Sequence, residues 1–99
     1  MRPAISTTAT VSAVKDQVYA ALDDEVVILH LKDGVYFGLN ETGATVWKAL
    51  ERPCPVEELK RLLLATYEVE PEQCERDLIK LLEELAEAGL IEVRDGPAT

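Results

Sequence analysis

Three short runs of β-branched and aromatic residues, and the two breaks between them, constrain the fold of this chain most strongly. The runs are "QVYAAL", "EVVILHL" and "VYFGL", and they are separated by Asp23-Asp24 and by Lys32-Asp33-Gly34. Runs of this composition favour strands, and Asp-Gly between two apolar runs is a strong signal for a tight hairpin. The sequence therefore predicts a three-stranded antiparallel meander over residues 17–22, 25–32 and 35–39.

The hairpin turn also predicts a register for the second and third strands. A two-residue turn at Asp33-Gly34 places His30 opposite Phe37. Because successive side chains of a strand point to opposite faces, one face would carry Val26, Ile28, His30, Val35, Phe37 and Leu39, and the other Val27, Leu29, Leu31 and Tyr36. Both faces are mostly apolar, whereas a small antiparallel sheet usually leaves one face to water. We expect either helices or another element to cover the second face.

After residue 39 the apolar period changes to that of helices. Asn40 is a good N-cap, and the residues that follow place Val46, Trp47 and Leu50 on one side of a first helix. Proline cannot continue a helix, so "RPCP" ends it. The segment "VEELKRLLLATY" predicts a second helix, whose apolar stripe is Leu59, Leu62, Leu63 and Tyr67.

A third helix is predicted from Pro71, a favoured first-turn residue, to a C-cap at Gly89. Its inner stripe is Cys74, Leu78, Leu81, Leu82 and Leu85. The closing "LIEV" predicts one last short strand. The fold class is therefore α+β and winged helix-turn-helix-like, with a three-stranded antiparallel meander followed by three α-helices. Residues 1–13 show no periodicity and are predicted to be a flexible tail.

Charge and composition exclude several classes of function. The chain has 10 Lys and Arg against 19 Asp and Glu, a net charge of −9. Affinity for nucleic acid comes mainly from Lys and Arg at phosphates, so nucleic-acid binding is not expected, although winged helices often bind DNA. The first 14 residues lack the apolar core of a signal peptide, and no run reaches the length of a membrane span. We expect a cytoplasmic protein that does not bind membranes.

No catalytic or metal-binding pattern is present, so we expect neither enzyme activity nor a cofactor. The one histidine, His30, has no neighbouring nucleophile, and serine occurs only at Ser6 and Ser12. The glycines match no phosphate-binding spacing. Cys54 and Cys74 are far apart and belong to no Cys/His cluster, which indicates two free thiols and no zinc site.

The third predicted strand lies at the edge of the meander and carries no protective Lys, Pro or bulge. An apolar edge of this kind fits peptide docking by strand addition. It is equally compatible with cover by a terminal segment or by a second copy of the chain.

The segment "DGVYFGLNETGATVWKAL" resembles a motif of the PqqD-like family, the precursor recognition elements of ribosomally synthesised and post-translationally modified peptides (RiPPs). Further likeness lies in "VEEL", "YEVEPEQCERDLIKLLEEL" and "AEAGLIEV", so that the resemblance covers nearly all of residues 14–93. It implies one recognition domain over residues 14–95. The aromatic "YFGLN" is most similar to the stand-alone leader-binding proteins of lasso-peptide biosynthesis.

This resemblance implies non-catalytic binding of a precursor's leader segment, which adds as a strand beside the third strand. The implied leader-binding residues are Val35, Tyr36, Phe37, Gly38 and Leu39 on the strand and Asp77, Lys80, Leu81 and Glu84 on the last helix. The implied partners are a separate cysteine protease that removes the leader and an ATP-dependent lasso cyclase. The alternatives are a PqqD-type peptide chaperone for a radical-SAM enzyme, and a structural domain that dimerises through its edge strand.

Overall fold

Six strands and three helices make up the computed structural model, which describes residues 5–94. The strands are β1 (Thr10–Ala13), β2 (Gln17–Leu22), β3 (Glu25–His30), β4 (Tyr36–Leu39), β5 (Cys54–Pro55) and β6 (Ile91–Arg94). The helices are α1 (Glu41–Ala49), α2 (Val56–Thr66) and α3 (Pro71–Glu87). None of the helices within this range is long and apolar enough to cross a bilayer.

The strands form two antiparallel sheets with orders β2-β3-β4 and β5-β1-β6. The first is the predicted meander, and α1, α2 and α3 follow it in the chain, so the α+β prediction is confirmed. The predicted strand at "LIEV" is also confirmed as β6. The second sheet as a whole was not predicted. One of its strands, β1, lies in a segment without apolar periodicity, and another, β5, has only two residues, one of them a proline.

The predicted tail over residues 1–13 is wrong for its described part. Residues 10–13 form β1, which pairs with β6 from Thr10–Arg94 to Ala13–Ile91. Val11 and Ala9 are fully buried, and Ile5 is nearly so. Small residues hide the alternation in this segment, but the apolar side chains of its described part belong to the core or pack against it. Residues 1–4 lie outside the described range.

The predicted register between β3 and β4 is wrong by two residues. Phe37 lies opposite Ile28, and not opposite His30. The cause is the turn. A type I′ turn needs a positive φ at both central residues, but of Asp33 and Gly34 only Gly34 has one (67°). Instead the N–H of His30 donates to the carbonyl of Val35 (3.0 Å), and the N–H of Gly34 donates to the carbonyl of His30 (2.8 Å). A four-residue connection results, and since the shift is even, each side chain keeps its predicted face.

The core lies between the inner face of the β2-β3-β4 sheet and the three helices. Val26 and Ile28 are completely buried on this face, and Trp47 of α1 is 2 % exposed. The predicted helix stripes are buried except for Tyr67 and Leu81, which are half-buried, and Leu62, which is 37 % exposed. Leu62 was placed on the wrong side because α2 buries a narrower stripe that is centred on Val56, Leu59 and Leu63.

Helix ends and a close packing contact fix how the chain passes from β4 into α1. The side chain of Asn40 accepts a hydrogen bond from the N–H of Gly43 (3.0 Å), which confirms the predicted N-cap. A Cβ at Gly43 would lie 3.1 Å from the side chain of Leu39, so glycine allows the first turn of α1 to pack directly on the end of β4. Gly89 has φ 76° and ends α3, as predicted.

Candidate functional site

The outer edge of β4 presents main-chain groups that no described strand uses. β4 pairs only with β3 in the sheet order β2-β3-β4. The bond from the His30 N–H to the Val35 carbonyl makes these two residues a hydrogen-bonded pair. Because such pairs alternate along an antiparallel ladder, Phe37 and Leu39 direct their main-chain groups toward β3. The N–H and C=O groups of Tyr36 and Gly38 therefore point outward from the sheet.

A groove runs beside this edge, between β4 and the C-terminal half of α3. It contains an open cavity of about 390 Å³ that is lined by Phe37, Glu84, Glu87 and Ala88. The ring of Phe37 is half-buried and belongs to the apolar floor. Glu84 and Glu87 make the helix wall acidic. The site thus combines free strand hydrogen bonds, an apolar floor and a carboxylate wall.

The structure brings together two of the residues that were predicted for the site, Phe37 and Glu84. Asp77 and Leu81 lie on the same row of α3 but nearer its N-terminus, and a rise of about 1.5 Å per residue puts Asp77 roughly 10 Å from Glu84 along the helix. Leu81 is half-buried against the core. Lys80 is exposed and does not line the cavity.

The five predicted strand residues divide into different environments. Tyr36 is 70 % exposed and points to the outer face, and Gly38 has open space where a Cβ would lie. Val35 precedes β4 and is 52 % exposed. Leu39 is only 5 % exposed, so its side chain is a core residue and cannot contact a ligand in the groove.

Two cavity residues, Glu87 and Ala88, were missed by the sequence reasoning. The row 77, 81 and 84 continues with 88 at the next turn of the helix, so helical spacing alone could have added Ala88. Glu87 lies beside that row at the last turn of α3, where the approach of β4 depends on the tertiary packing of the sheet. Nothing in the local sequence indicates that approach.

The chemistry of this site is that of recognition. The carboxylates favour a ligand with basic groups, and the exposed edge favours an extended backbone. His30 lies on the inner face of β3, is 8 % exposed, and accepts a hydrogen bond at Nδ1 from the N–H of Asp33 (3.3 Å). Within residues 5–94, no group of His, Cys, Asp and Glu side chains is arranged to hold a metal ion.

Comparison with known proteins identifies the family from these same segments. The family model of coenzyme PQQ synthesis protein D (PqqD) matches residues 25–91, which include the meander strands β3 and β4 and all three helices. The chain belongs to the PqqD family. A search of the curated proteins returns no match.

Two solved structures that contain leader peptides are similar to the chain along most of its length. TbiB1 in complex with the TbiA(beta) leader peptide is 40 % identical, with a TM-score of 0.73 over 89 % of this chain and 99 % of that one. A lasso peptide synthetase B1 complexed with the leader peptide is 28 % identical, with a TM-score of 0.73 over 83 % and 96 % of the two chains.

The PqqD part of Methylobacterium extorquens PqqCD, described as a stand-alone RiPP recognition element, shares the fold. It is 21 % identical, with a TM-score of 0.74 over 90 % of this chain and 95 % of that one. At this identity the comparison bears on the fold alone.

Proposed function

We propose that this protein binds the leader segment of a ribosomally synthesised precursor peptide and has no catalytic activity of its own. The leader adds as a strand to the outer edge of β4, where Tyr36 and Gly38 supply the hydrogen-bonding groups. Its side chains on the inner side lie in the groove between Phe37 and Glu84. The observation that carries this proposal is the free edge of β4 lying directly beside the acidic groove of α3.

Three features support this assignment of the edge and its ligand. Strand addition needs an unpaired edge, and side-chain selectivity needs pockets next to it; both are present at β4. The net charge of −9 and the carboxylates of Glu84 and Glu87 favour a leader with basic residues. Two similar solved structures, TbiB1 and a lasso peptide synthetase B1, contain leader peptides.

The free edge of β2 is the competing site for strand addition in the described sheet. The N–H of Leu31 donates to the carbonyl of Asp16, so the same alternation points the main-chain groups of Tyr19 and Ala21 outward. The ring of Tyr19 packs edge-on against Trp47 (centroids 6.1 Å apart). A cavity of about 330 Å³ lies beside this edge as well, but its charged lining residues are Lys15 and Glu51, which oppose each other. The cavity at β4 has two carboxylates and no basic residue in its lining, which favours β4 for a basic leader.

Binding of the leader would hold the precursor close to the maturation enzymes. The effective concentration of the precursor at their active sites would then be higher. In the lasso-type assignment these enzymes are a separate cysteine protease and an ATP-dependent cyclase. In the PqqD-type alternative the enzyme is a radical-SAM protein. The likeness to a lasso peptide synthetase B1, at 28 % identity over 83 % of this chain, supports the lasso-type assignment.

Calorimetric titration with a synthetic leader from the adjacent precursor gene tests this function. We expect saturable binding that weakens as salt increases, because carboxylates contribute to the site. Trp47 is a poor reporter for this experiment, since it is buried beside Tyr19 and does not line the groove. Absence of binding at high micromolar leader, together with concentration-dependent mass in light scattering, would instead favour the edge-strand dimerisation domain.

A further inference from the structure

His30 is the last residue of β3, and its imidazole is buried on the inner face of the sheet. The residues before it on this face, Val26 and Ile28, are apolar and completely buried. Among the described residues, His30 alone is both polar and buried. A buried polar group lowers stability unless it is hydrogen-bonded, so the partners of this side chain indicate what it does.

Three consecutive residues of the β3–β4 connection are hydrogen-bonded to His30. Its N–H donates to the carbonyl of Val35 (3.0 Å), and its carbonyl accepts from the N–H of Gly34 (2.8 Å). Its Nδ1 accepts from the N–H of Asp33 (3.3 Å). The first two bonds involve only the main chain and would form with almost any residue at this position. The third bond requires the imidazole.

The residues of this connection are all exposed, so apolar burial does not hold them in place. The first two bind Asp16, through the N–H of Leu31 to its carbonyl (3.0 Å) and through the ammonium of Lys32 to its carboxylate (3.4 Å). Residues 33–35 are hydrogen-bonded to His30 and to no other part of the chain that the structure describes. His30 therefore orders the residues that lead into β4.

The imidazole is enclosed between the start of β4 and the end of α3. Gly89, which follows the C-cap of α3, lies against the second ring nitrogen, since a Cβ at this glycine would be 3.5 Å from Nε2. The ring thus has the turn at Nδ1 and the helix end at Nε2, which keeps Nδ1 directed toward Asp33. β4 and α3 are also the two walls of the leader groove, in which Ala88 precedes Gly89.

The edge of β4 accepts a leader strand only when its outward groups are held in an extended geometry. Tyr36, which carries the first of these groups, directly follows Val35. An edge that is already ordered binds more tightly, because less conformational entropy is lost on association. On this basis, which rests on the proposed function, we propose that His30 is a positioning residue of the leader site. Its Nδ1 holds Asp33 and so keeps the start of β4 ordered for the leader.

Protonation of the ring removes this restraint. An imidazole changes its charge near neutral pH, and a proton on Nδ1 takes the lone pair that accepts from the Asp33 N–H. Leader affinity should therefore fall as the pH decreases. The charged groups that face the ring are Asp33, whose Oδ2 lies 3.7 Å from Nδ1, and the charged residues that line a cavity of about 670 Å³ together with His30, namely Lys15, Asp16, Lys32, Glu51 and Glu92.

Two substitutions separate the acceptor from the bulk of the side chain. His30→Asn keeps an acceptor near the position of Nδ1 and loses much of the volume. His30→Leu keeps a side chain of similar size and loses the acceptor, so that the exposed Asp33 N–H turns to water. His30→Leu should therefore be the more stable of the two variants, and His30→Asn the tighter binder. Thermal unfolding and calorimetric titration with a synthetic leader from the adjacent precursor gene measure these two properties.

At about pH 7.5 we expect His30→Leu to lose about fivefold in leader affinity, and His30→Asn to stay within about twofold of the wild type. Between about pH 7.5 and about pH 5.5, the affinity of the wild type should fall about fivefold further than that of His30→Asn. Both proteins contain the groove carboxylates, so the difference isolates the imidazole. Without leader, hydrogen exchange of the Asp33 amide should be slow in the wild type and in His30→Asn, and faster in His30→Leu.

Equal leader affinity in the wild type and in a folded His30→Leu would overturn this proposal. The same pH profile in the wild type and His30→Asn would do so as well, as would an equal loss of affinity in the two variants. If the wild type binds no leader at any pH while the Asp33 amide exchanges slowly as expected, the proposed function is refuted and the restraint of the turn stands. The two failures are thus distinguishable.

Discussion

Phe37 on the edge strand β4 and Glu84 on helix α3 line the same open cavity, although they belong to opposite halves of the chain. Phe37 lies there because side chains along β4 alternate between the two faces of the sheet, and its ring is on the inner face, toward the helices. Glu84 lies there because its row runs along the flank of α3, beside the stripe of core leucines that includes Leu82 and Leu85. The site therefore depends on the packing of α3 against the sheet, and both partners of that packing can be tested separately.

Gly38→Pro should abolish leader binding in a folded protein. The N–H of Gly38 points outward, so its removal spares the ladder to β3 while the proline ring blocks an added strand. We expect affinity for a synthetic leader, measured by calorimetry, to fall at least about tenfold. Phe37 is a less suitable position for proline, because its N–H bonds to β3 and its loss would damage the sheet itself.

Two variants control this experiment. Gly38→Ala keeps the N–H and meets no atom within 4 Å, so it should lose far less affinity than the proline variant. Ala21→Pro removes an outward N–H from the competing edge at β2 and should leave leader affinity intact. If Ala21→Pro abolishes binding and Gly38→Pro does not, the leader adds to β2.

Glu84→Lys should weaken a basic leader and reduce the dependence of its affinity on salt, because an attractive charge in the groove becomes repulsive. Asp77 lies on the same row of α3, about 10 Å from Glu84. The leader affinity of Asp77→Lys therefore shows whether the leader extends that far along the helix. Glu68→Lys, in the connection between α2 and α3, controls for net charge. Equal affinity in the Glu84 variant and the wild type would place the leader outside this groove.

Val11→Ala should destabilise the protein by about 2 kcal/mol, because Val11 is fully buried in β1 and its truncation removes apolar contacts and leaves a cavity. Val18→Ala, at a valine that is 52 % exposed on β2, should change stability by less than about 0.5 kcal/mol. Urea unfolding followed by Trp47 fluorescence measures both. Similar stabilities for the two variants would mean that β1 contributes little to the fold.

Stability should decline as pH rises above about 9, because burial raises the pKa of the Cys74 thiol above its ordinary value of 9.0. The sign follows from linkage: the unfolded chain loses this proton first, so alkali favours unfolding until the folded thiol also ionises. Burial, and secondarily the nearby Glu58 carboxylate, raises the pKa of Cys54 in the same direction.

Cys74→Ala should reduce the slope of stability against pH above 9, and adding Cys54→Ala should reduce it further. Lys60 does not account for this range. Its hydrogen bond to Glu75 (3.0 Å) raises its pKa above 10.5, so its contribution to stability is lost only at higher pH. Thermal unfolding across pH 8–10.5 provides the measurement; an unchanged slope in the double variant would contradict this assignment.

Local signals predicted the elements well. Three local signals identify helix ends: Asn40 caps α1, Pro71 lies in the first turn of α3, and Gly89, with its positive φ, follows the C-cap of α3. Each acts through its own neighbours, so a short window of sequence suffices to identify it. The face alternation of the meander was also predictable, because it depends only on a period of two.

Features that depend on distant packing were not predictable in the same way. The register of β4 depended on whether Asp33 adopts a positive φ, which composition alone did not decide. The burial of Val11 and the contribution of Glu87 to the groove both require partners from the other end of the chain. Such contacts leave no periodic signal in the segments concerned.

The pairing of β1 with β6 has a consequence for synthesis on the ribosome. Thr10 and Arg94 are cross-strand partners, so the β5-β1-β6 sheet can close only after residues 91–94 have been translated. The meander consists of neighbouring segments and can form much earlier. A nascent chain that stops before Ile91 would leave Val11 without its β6 neighbour Val93 and β1 without that side of its sheet. The last of the described strands is thus required before the first one can be fully paired.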